Sequence, residues 1–217
     1  KSHVIEIMDG FPPAEDAYVF KHAVYTPKGE LRFGSYYQFK LEVLSTNRLR
    51  IFGLHPKKDG GEQVGDSVVV GAEHLKGPYR AHAIDVRNSV GTEFDGIKLY
   101  SSPCFGFLEV ASSRSVYRNC LIDRREGRVR SLNADAFHSK HAEIGPRIIN
   151  CKAMWQGDDC VNICGDYYLV ESGEGRNWRV LTPRFFHLKP GDPVELVTPE
   201  GKRLPDAEAV SAERAGD

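Results

Sequence analysis

The sequence predicts an all-β protein built as a parallel β-helix, with a smaller antiparallel segment at the C-terminal end. Three observations support this prediction. Short runs of β-branched and aromatic residues, bounded by Gly, Pro, Asn, Asp or Ser, fill much of the 217-residue chain. No stretch keeps the apolar period of about 3.6 residues that marks an amphipathic helix. Related motifs also return along the chain at intervals that suit successive turns of a solenoid.

The predicted strands follow one another through the first half of the chain. Each is a short apolar or alternating run that ends at turn-forming residues, as half-buried strands do. The runs are QFKLEVL (38–44), RLRIFGL (48–54), DSVVVGA (66–72), AIDVRNS (83–89), GIKLYSS (96–102), FGFLEVA (105–111) and SVYRNCLI (115–122).

Two kinds of motif repeat. RNCLI (118–122) returns as INCKA (149–153), and its Asn fits an inward or corner position where stacked amides hydrogen-bond along the axis. An Asp followed by a small and then an apolar residue recurs at Asp95, Asp135 and Asp159. Three short strands per turn with a variable loop would give this pattern. An immunoglobulin-like sandwich would instead need hairpin signals about every 8–12 residues, and few are present between 83 and 170.

From about residue 176 the pattern changes to hairpins. Two turn signals, KPGDP (189–193) and PEGK (199–202), flank the alternating VELVT (194–198). The sequence therefore predicts a parallel β-helix catalytic domain over 1–175. It predicts a β-hairpin or partial β-barrel segment over 176–217.

Composition excludes several classes of partner. The net charge is −1 and no basic run is present, so nothing indicates a nucleic acid partner. No uninterrupted apolar stretch approaches the about 18 residues of a membrane span. The chain starts at Lys1 without a charged-then-apolar leader, so we expect a signal peptide to be absent or already removed. No pattern sets an oligomeric state.

Three aspartates are the strongest functional signal. Asp158 and Asp159 follow Asp135 by 23 and 24 residues, about one turn of the predicted solenoid. Successive turns lie about 4.8 Å apart, so the three carboxyl groups would share one face. Adjacent strand residues point to opposite sides, but Gly157 predicts a bend or bulge that turns both acids outward.

Carboxyl groups packed this closely disfavour full ionisation, so one is expected to keep its proton to a higher pH than a free Asp. A protonated acid beside ionised ones is suited to glycosidic bond cleavage, in which the acid protonates the leaving oxygen and a carboxylate activates the attacking water. Asp is also common at turns between strands, so a purely structural role for Asp135 stays open at this point.

The segments NADAFH (133–138), NCKAMWQGDDCVNICGDYYLV (150–170) and GDPVEL (191–196) resemble right-handed β-helix glycoside hydrolases. The family they resemble most is glycoside hydrolase family 110, exo-acting α-1,3-galactosidases, with the polygalacturonase-like enzymes more distant. Relatives often have His where this chain has Cys164. The resemblance implies a right-handed, pectate-lyase-like solenoid that continues into a small β-barrel.

The resemblance also implies an inverting hydrolase with no metal and no cofactor. Asp158 would be the general acid, and Asp135 and Asp159 would hold and deprotonate the water. The partner would be an oligosaccharide or glycan that ends in α-linked galactose. Such a substrate predicts an extracellular or periplasmic location.

Four further residues are predicted to contact the substrate: His138, Trp155, Asn162 and Lys140. His138 and Lys140 could bind sugar hydroxyls, Asn162 could orient a carboxylate or join an internal amide ladder, and Trp155 offers a flat apolar face. Core packing or solvated loop positions are the alternatives. The basic loop formed by Arg124, Arg125, Arg128 and Arg130 is typical of a solvated segment but could reach an anionic substrate.

Two other functions stay open. A pectin- or polygalacturonate-type hydrolase on the same scaffold would use the basic loop to bind uronates. An inactive or incomplete carbohydrate-binding β-helix is the non-enzymatic alternative. A binding protein should tolerate Asp158→Asn with nearly unchanged affinity, whereas an enzyme should not keep its activity.

Overall fold

A computed structural model describes residues 2–11, 13–35, 40–52, 61–72, 81–181, 186 and 188–213. In this part the protein is all-β, apart from a 3-10 turn at Ala14–Asp16. No helix among these residues is long and apolar enough to cross a membrane. The strands are β1 (Ser2–Glu6), β2 (Ala17–Tyr25), β3 (Leu31–Ser35), β4 (Lys40–Ser45), β5 (Arg48–Phe52), β6 (Ser67–Ala72), β7 (Ile84–Arg87), β8 (Glu93–Asp95), β9 (Lys98–Leu99), β10 (Phe107–Val110), β11 (Val116–Arg118), β12 (Leu121–Ile122), β13 (Phe137–Lys140), β14 (Arg147–Ile149), β15 (Lys152–Ala153), β16 (Val161–Cys164), β17 (Leu169–Glu174), β18 (Asn177–Leu181), β19 (Pro193–Val194) and β20 (Ala207–Glu208).

The N-terminal strands are antiparallel. One sheet has the order β1-β5-β4 and another the order β3-β2-β6. The three strands predicted here exist as β4, β5 and β6, although 38–39 and 53–54 lie outside the described residues. The prediction that parallel pairing begins at residue 1 is wrong. Only Thr46 and Asn47 join β4 to β5, and so short a connection reverses the chain, whereas parallel strands need a crossover of about a dozen residues.

Parallel pairing runs from β7 to β16 in three sheets. One contains β7, β10, β13 and β16, a second β8, β11 and β14, and a third β9, β12 and β15. The chain thus visits the three sheets in the same order three times and enters the first a fourth time. Ile84 pairs with Phe107, Phe107 with Phe137 and Phe137 with Val161, so the repeats are 23, 30 and 24 residues long.

An aromatic core lies between the parallel sheets. The Phe107 and Phe137 rings, which are register partners, stack with centroids 5.1 Å apart and an angle of 1°. Tyr117 meets both edge-on, stacks on Phe94 and donates its hydroxyl to buried Glu109 at 2.9 Å. Burial, followed by the Glu109 carboxylate, holds the pKa of the Tyr117 phenol well above its ordinary value. Equal positions in successive repeats therefore build a continuous column of rings.

Asn residues occupy one corner of the repeats. The predicted strand over 115–122 is divided there into β11 and β12, because Asn119 adopts the left-handed conformation with φ 52°. Gly96 and Asn150 hold the corresponding corners with φ 69° and 52°. Asn150 Nδ2 donates to Asn119 Oδ1 at 2.6 Å, and Asn119 Nδ2 donates to Asp95 Oδ1 at 2.9 Å. The amide ladder predicted from the repeated Asn is confirmed at a corner position.

The corner gives a test of the backbone argument. Asn119→Ala and Asn119→Gly both lose the two amide hydrogen bonds, but only Ala keeps a Cβ that the left-handed conformation disfavours by about 1–2 kcal/mol. We expect the free energy of unfolding of the Ala variant to be lower than that of the Gly variant by that amount. Urea unfolding followed by fluorescence measures the difference. Equal stabilities would show that the ladder, and not the conformation, selects Asn here.

The C-terminal region forms its own compact unit. The chain divides into compact units over 1–164 and 165–217, whereas the boundary predicted from the sequence lies at 175/176. That boundary would cut the turn of the antiparallel hairpin of β17 and β18. β19 and β20 also pair antiparallel, and Val197 bridges Arg203 across the turn at Gly201. The predicted change to antiparallel hairpins is thus confirmed, and it begins earlier than the turn signals indicated.

Candidate functional site

The parallel register aligns Asp135 with Asp159. Both residues lie two positions before the first residue of a strand, Asp135 before β13 and Asp159 before β16. The ladder continues through them, since Ala136 N donates to Asp159 O at 3.0 Å and Gly106 N donates to Asp135 O at 2.9 Å. The third repeat has 24 residues, which equals the distance in sequence between Asp135 and Asp159. The two aspartates are therefore stacked directly on each other.

The three predicted catalytic aspartates converge. One carboxylate oxygen from each of Asp135, Asp158 and Asp159 lies within 4.8 Å of the other two. Asp135 is buried at 3% exposure, while Asp158 and Asp159 are exposed. The chain bends at Gly157 and Asp158, as predicted from the Gly. Divalent cations bind such carboxylate groups, but acidic clusters without one are common, and we assign no ion here.

Each stacked aspartate has a polar partner three residues later. His138 Nδ1 lies 2.7 Å from Asp135 Oδ2, and Asn162 Nδ2 donates to Asp159 Oδ2 at 3.0 Å. His138 and Asn162 are themselves register partners. The turn before each strand brings positions i and i+3 together. Two of the four predicted substrate-binding residues therefore contact carboxylates that are predicted to be catalytic. Asn162 is placed to orient Asp159, which is one of its two predicted alternatives.

The other two predicted binding residues, Lys140 and Trp155, have other neighbours. Lys140 is the last residue of β13, in register with Cys164. It leaves the sheet on the same side as His138, two residues away. Trp155 is 45% exposed, and the Arg124 guanidinium lies 3.7 Å from the centroid of its ring. One face of the indole is therefore occupied, so any sugar would stack on the other.

The basic loop packs against aromatic rings. Arg128 lies 3.5 Å from the centroid of Phe11 and donates to Gly10 O. Arg130 donates to the Tyr25 hydroxyl at 2.9 Å. Together with Arg124 on Trp155, three of the four arginines stack on or bond to aromatic side chains. One contact ties the loop to β2 and another to the segment between β1 and the 3-10 turn, so the predicted solvated loop is wrong for Arg130 and Arg128.

Three contacts of the site were not anticipated. The Phe105 ring stacks on His138 with centroids 4.4 Å apart. Cys164 Sγ lies 3.8 Å from His138 Nε2. The Arg130 guanidinium lies so close to Gly157 that a Cβ there would be 2.6 Å from Nη1. The sequence contained a signal for the Phe105 contact. The 30-residue repeat aligns Phe105 with Asp135 on the preceding turn of the parallel sheets, three residues before His138.

No family model matches this chain, and no curated protein matches it either.

Proposed function

We propose that this chain is a glycoside hydrolase whose catalytic groups are Asp135, Asp158 and Asp159, carried on a right-handed parallel β-helix. The observation that carries the proposal is the convergence of three carboxylates within 4.8 Å, in the turns that precede two neighbouring strands of one parallel sheet. One is buried and bound to an imidazole, and two are exposed. Such an arrangement suits acid–base cleavage of a glycosidic bond.

The exposure of the three groups supports a division of roles. Asp158 is exposed, so it can approach a glycosidic oxygen and act as the general acid. Asp135 and Asp159 are stacked and fixed by His138 and Asn162. A water that donates to two carboxylates, at about 2.7–2.8 Å each, fits between oxygens separated by less than about 5 Å. The stacked pair therefore suits a bound water that the two carboxylates orient and deprotonate.

We propose exo-acting, inverting hydrolysis of terminal α-linked galactose, α-1,3 linked in the first instance. Inverting enzymes usually separate acid and base carboxyl groups by about 6.5–9.5 Å, and retaining enzymes by about 5–5.5 Å. The closest oxygens of the trio lie within the shorter distance. The exposed Asp158 side chain must therefore turn away from the pair to accommodate a sugar, and stereochemistry is the decisive measurement. A glycan substrate also implies action outside the cell or in the periplasm.

A second candidate, hydrolysis of a pectin-type polyuronate, is favoured by one contact. The Arg124 guanidinium lies on Trp155, two residues before Gly157. A guanidinium beside an aromatic platform would pair with the carboxylate of a uronate ring that stacks on the free face of the indole. Neutral galactose has no group that would use this charge.

Proton NMR of the products tests these proposals. With a terminal α-1,3-galactoside we expect β-galactose to appear first and then mutarotate. Initial α-galactose would exclude the inverting mechanism. Release of reducing ends from polygalacturonate, with no galactose from the galactoside, would favour the second candidate. If neither substrate is cleaved, the hydrolase proposal fails for both substrate classes and binding alone should be measured.

A further inference from the structure

A thiol, an imidazole and a carboxylate lie in line beside the aspartate trio. Cys164 Sγ is 3.8 Å from His138 Nε2, and His138 Nδ1 is 2.7 Å from Asp135 Oδ2. The two ring nitrogens thus face different partners. Nucleophile, base and orienting acid in this sequence form the general arrangement by which proteins activate a weak nucleophile.

The orientation of the His138 ring is fixed on three sides. Asp135 and Cys164 hold its two nitrogens, and the Phe105 ring covers one face with centroids 4.4 Å apart and an angle of 24°. When the carboxylate is ionised and the ring is neutral, Nδ1 donates to the carboxylate and Nε2 is left as the acceptor. The unprotonated nitrogen therefore faces the thiol.

The surroundings of other cysteines differ in kind. Cys120 and Cys151 direct their thiols at main-chain carbonyls, of Arg118 and Ile149 among others. Cys160 is exposed and its Sγ lies 3.8 Å from Ala153 O. A carbonyl accepts a hydrogen bond from the neutral thiol, whereas an imidazole can remove the proton and stabilise the thiolate. Half-buried Cys164 combines access with such a base.

We propose that Cys164 is a thiol modification site, activated by His138 and Asp135, that reacts with small disulfides. His138 Nε2 takes the thiol proton, and the thiolate attacks one sulfur of the disulfide. A bond forms between that sulfur and Cys164 Sγ, the original sulfur–sulfur bond breaks, and the leaving thiolate takes up a proton. One disulfide is consumed and one mixed disulfide and one small thiol are formed, so no further oxidant is required.

The modification would also close the carboxylate site, a consequence that rests on the proposed function. Cys164 lies at the end of β16, two residues beyond Asn162 and in register with Lys140. A group added to Sγ replaces the thiol proton that faces His138 Nε2, and His138 contacts Asp135 through its other nitrogen. The adduct therefore disturbs one of the two carboxylates that we assign to the water.

Alkylation kinetics test the activation without any sugar. Wild-type protein is treated with iodoacetamide at pH 7, and the rate at each cysteine is followed by peptide mass spectrometry. We expect Cys164 to react about tenfold faster than the more exposed Cys160, since an ordinary thiol is only a few per cent ionised at this pH. His138→Gln should reduce the Cys164 rate to that of Cys160 or below and leave the Cys160 rate unchanged. Buried Cys120 reports unfolding, because its alkylation rises if the variant opens the fold.

A small disulfide probe, bis(2-hydroxyethyl) disulfide, tests the modification itself. We expect one mixed disulfide per chain, at Cys164, which a reductant reverses. The adduct should stop hydrolysis of the substrate found by NMR, and Cys164→Ser should be insensitive to the probe. Equal alkylation of Cys164 and Cys160 in the wild type would overturn the proposal, whatever the hydrolase result. Fast alkylation in a protein that cleaves no sugar would reject the proposed function and keep the modification site.

Discussion

Asp158→Asn is expected to lower the hydrolysis rate by about 10²–10⁴-fold, the usual contribution of a general acid. Asn has the shape of the acid but no proton to give to the leaving oxygen. Asp158 is exposed, so the substitution should change the free energy of unfolding by less than about 0.5 kcal/mol. Substrate affinity should stay within a few-fold, because the carboxyl group acts mainly as the bond breaks. Initial rates and calorimetric binding of the substrate measure the two effects separately.

The leaving group distinguishes the roles within the trio. An activated aryl glycoside leaves without protonation, so it should restore much of the lost rate in Asp158→Asn. It should not do so in Asp159→Asn, where activation of water is impaired. If the activated glycoside restores the rate of Asp159→Asn and not that of Asp158→Asn, Asp159 is the general acid and Asp158 acts on the water. Asp95→Asn is a suitable control, since Asp95 accepts from Asn119 at a corner of the repeats and should leave the rate unchanged.

Asp135→Asn would be a less clean variant. Asp135 is 3% exposed and bound to His138, so Asn at this position weakens a buried, charge-assisted contact and adds an amide NH2 group that needs a partner. We expect lower stability, by about 1–3 kcal/mol, together with lower activity. The free energy of unfolding should therefore distinguish Asp135→Asn from Asp158→Asn even if both variants are inactive. A binding protein without catalysis would show neither the rate effects nor the rescue.

The spacing of Asp135, Asp158 and Asp159 was sufficient to predict that they meet. In a parallel register, a 24-residue repeat must stack Asp135 on Asp159. The Gly157 that precedes the two adjacent acids indicated the bend that brings Asp158 to the same place. The role of His138 could not be predicted in the same way. Positions three apart point to opposite faces of a regular strand, but Asp135 lies in the turn before β13, where the alternation does not hold.

Long-range contacts account for the remaining differences. Arg130 bonds to a tyrosine 105 positions away, and Arg128 to a carbonyl 118 positions away. No local sequence pattern indicates contacts over such distances. From the sequence, the charge of the basic loop therefore predicted only a solvated segment. The pairing direction of the N-terminal strands had a local signal in the two-residue connection Thr46–Asn47. The parallel pairing from β7 onward was predicted because related motifs recur in this part of the sequence. No such motifs recur before Ile84.

Gly157→Ala should impair catalysis without removing any catalytic group. A Cβ at this position would lie 2.6 Å from Arg130 Nη1 and 2.8 Å from both Arg130 Cζ and the Asn133 carbonyl oxygen. The guanidinium is the end of a flexible side chain and can move. The Asn133 oxygen belongs to the backbone of the preceding repeat and cannot, so Gly157 must shift and carry Asp158 and Asp159 with it.

A displacement of about 1 Å in a catalytic group can lower a rate by about 10²-fold, and we expect a loss of that order in kcat. Overpacking should also lower the free energy of unfolding by about 1–3 kcal/mol. Gly145→Ala is the matched control, because a Cβ there meets nothing within 4 Å. Its activity should stay within twofold of the wild type.

A double variant decides which neighbour is responsible. Removing the guanidinium with Arg130→Ala eliminates two of the three close contacts and leaves the Asn133 oxygen in place. If that oxygen sets the position of the two aspartates, Gly157→Ala combined with Arg130→Ala stays as inactive as Gly157→Ala alone. Recovery of kcat in the double variant would place the constraint on the arginine instead. The glycine would then be required for an arginine side chain that approaches the site from the basic loop, and the preceding repeat would not fix the acids.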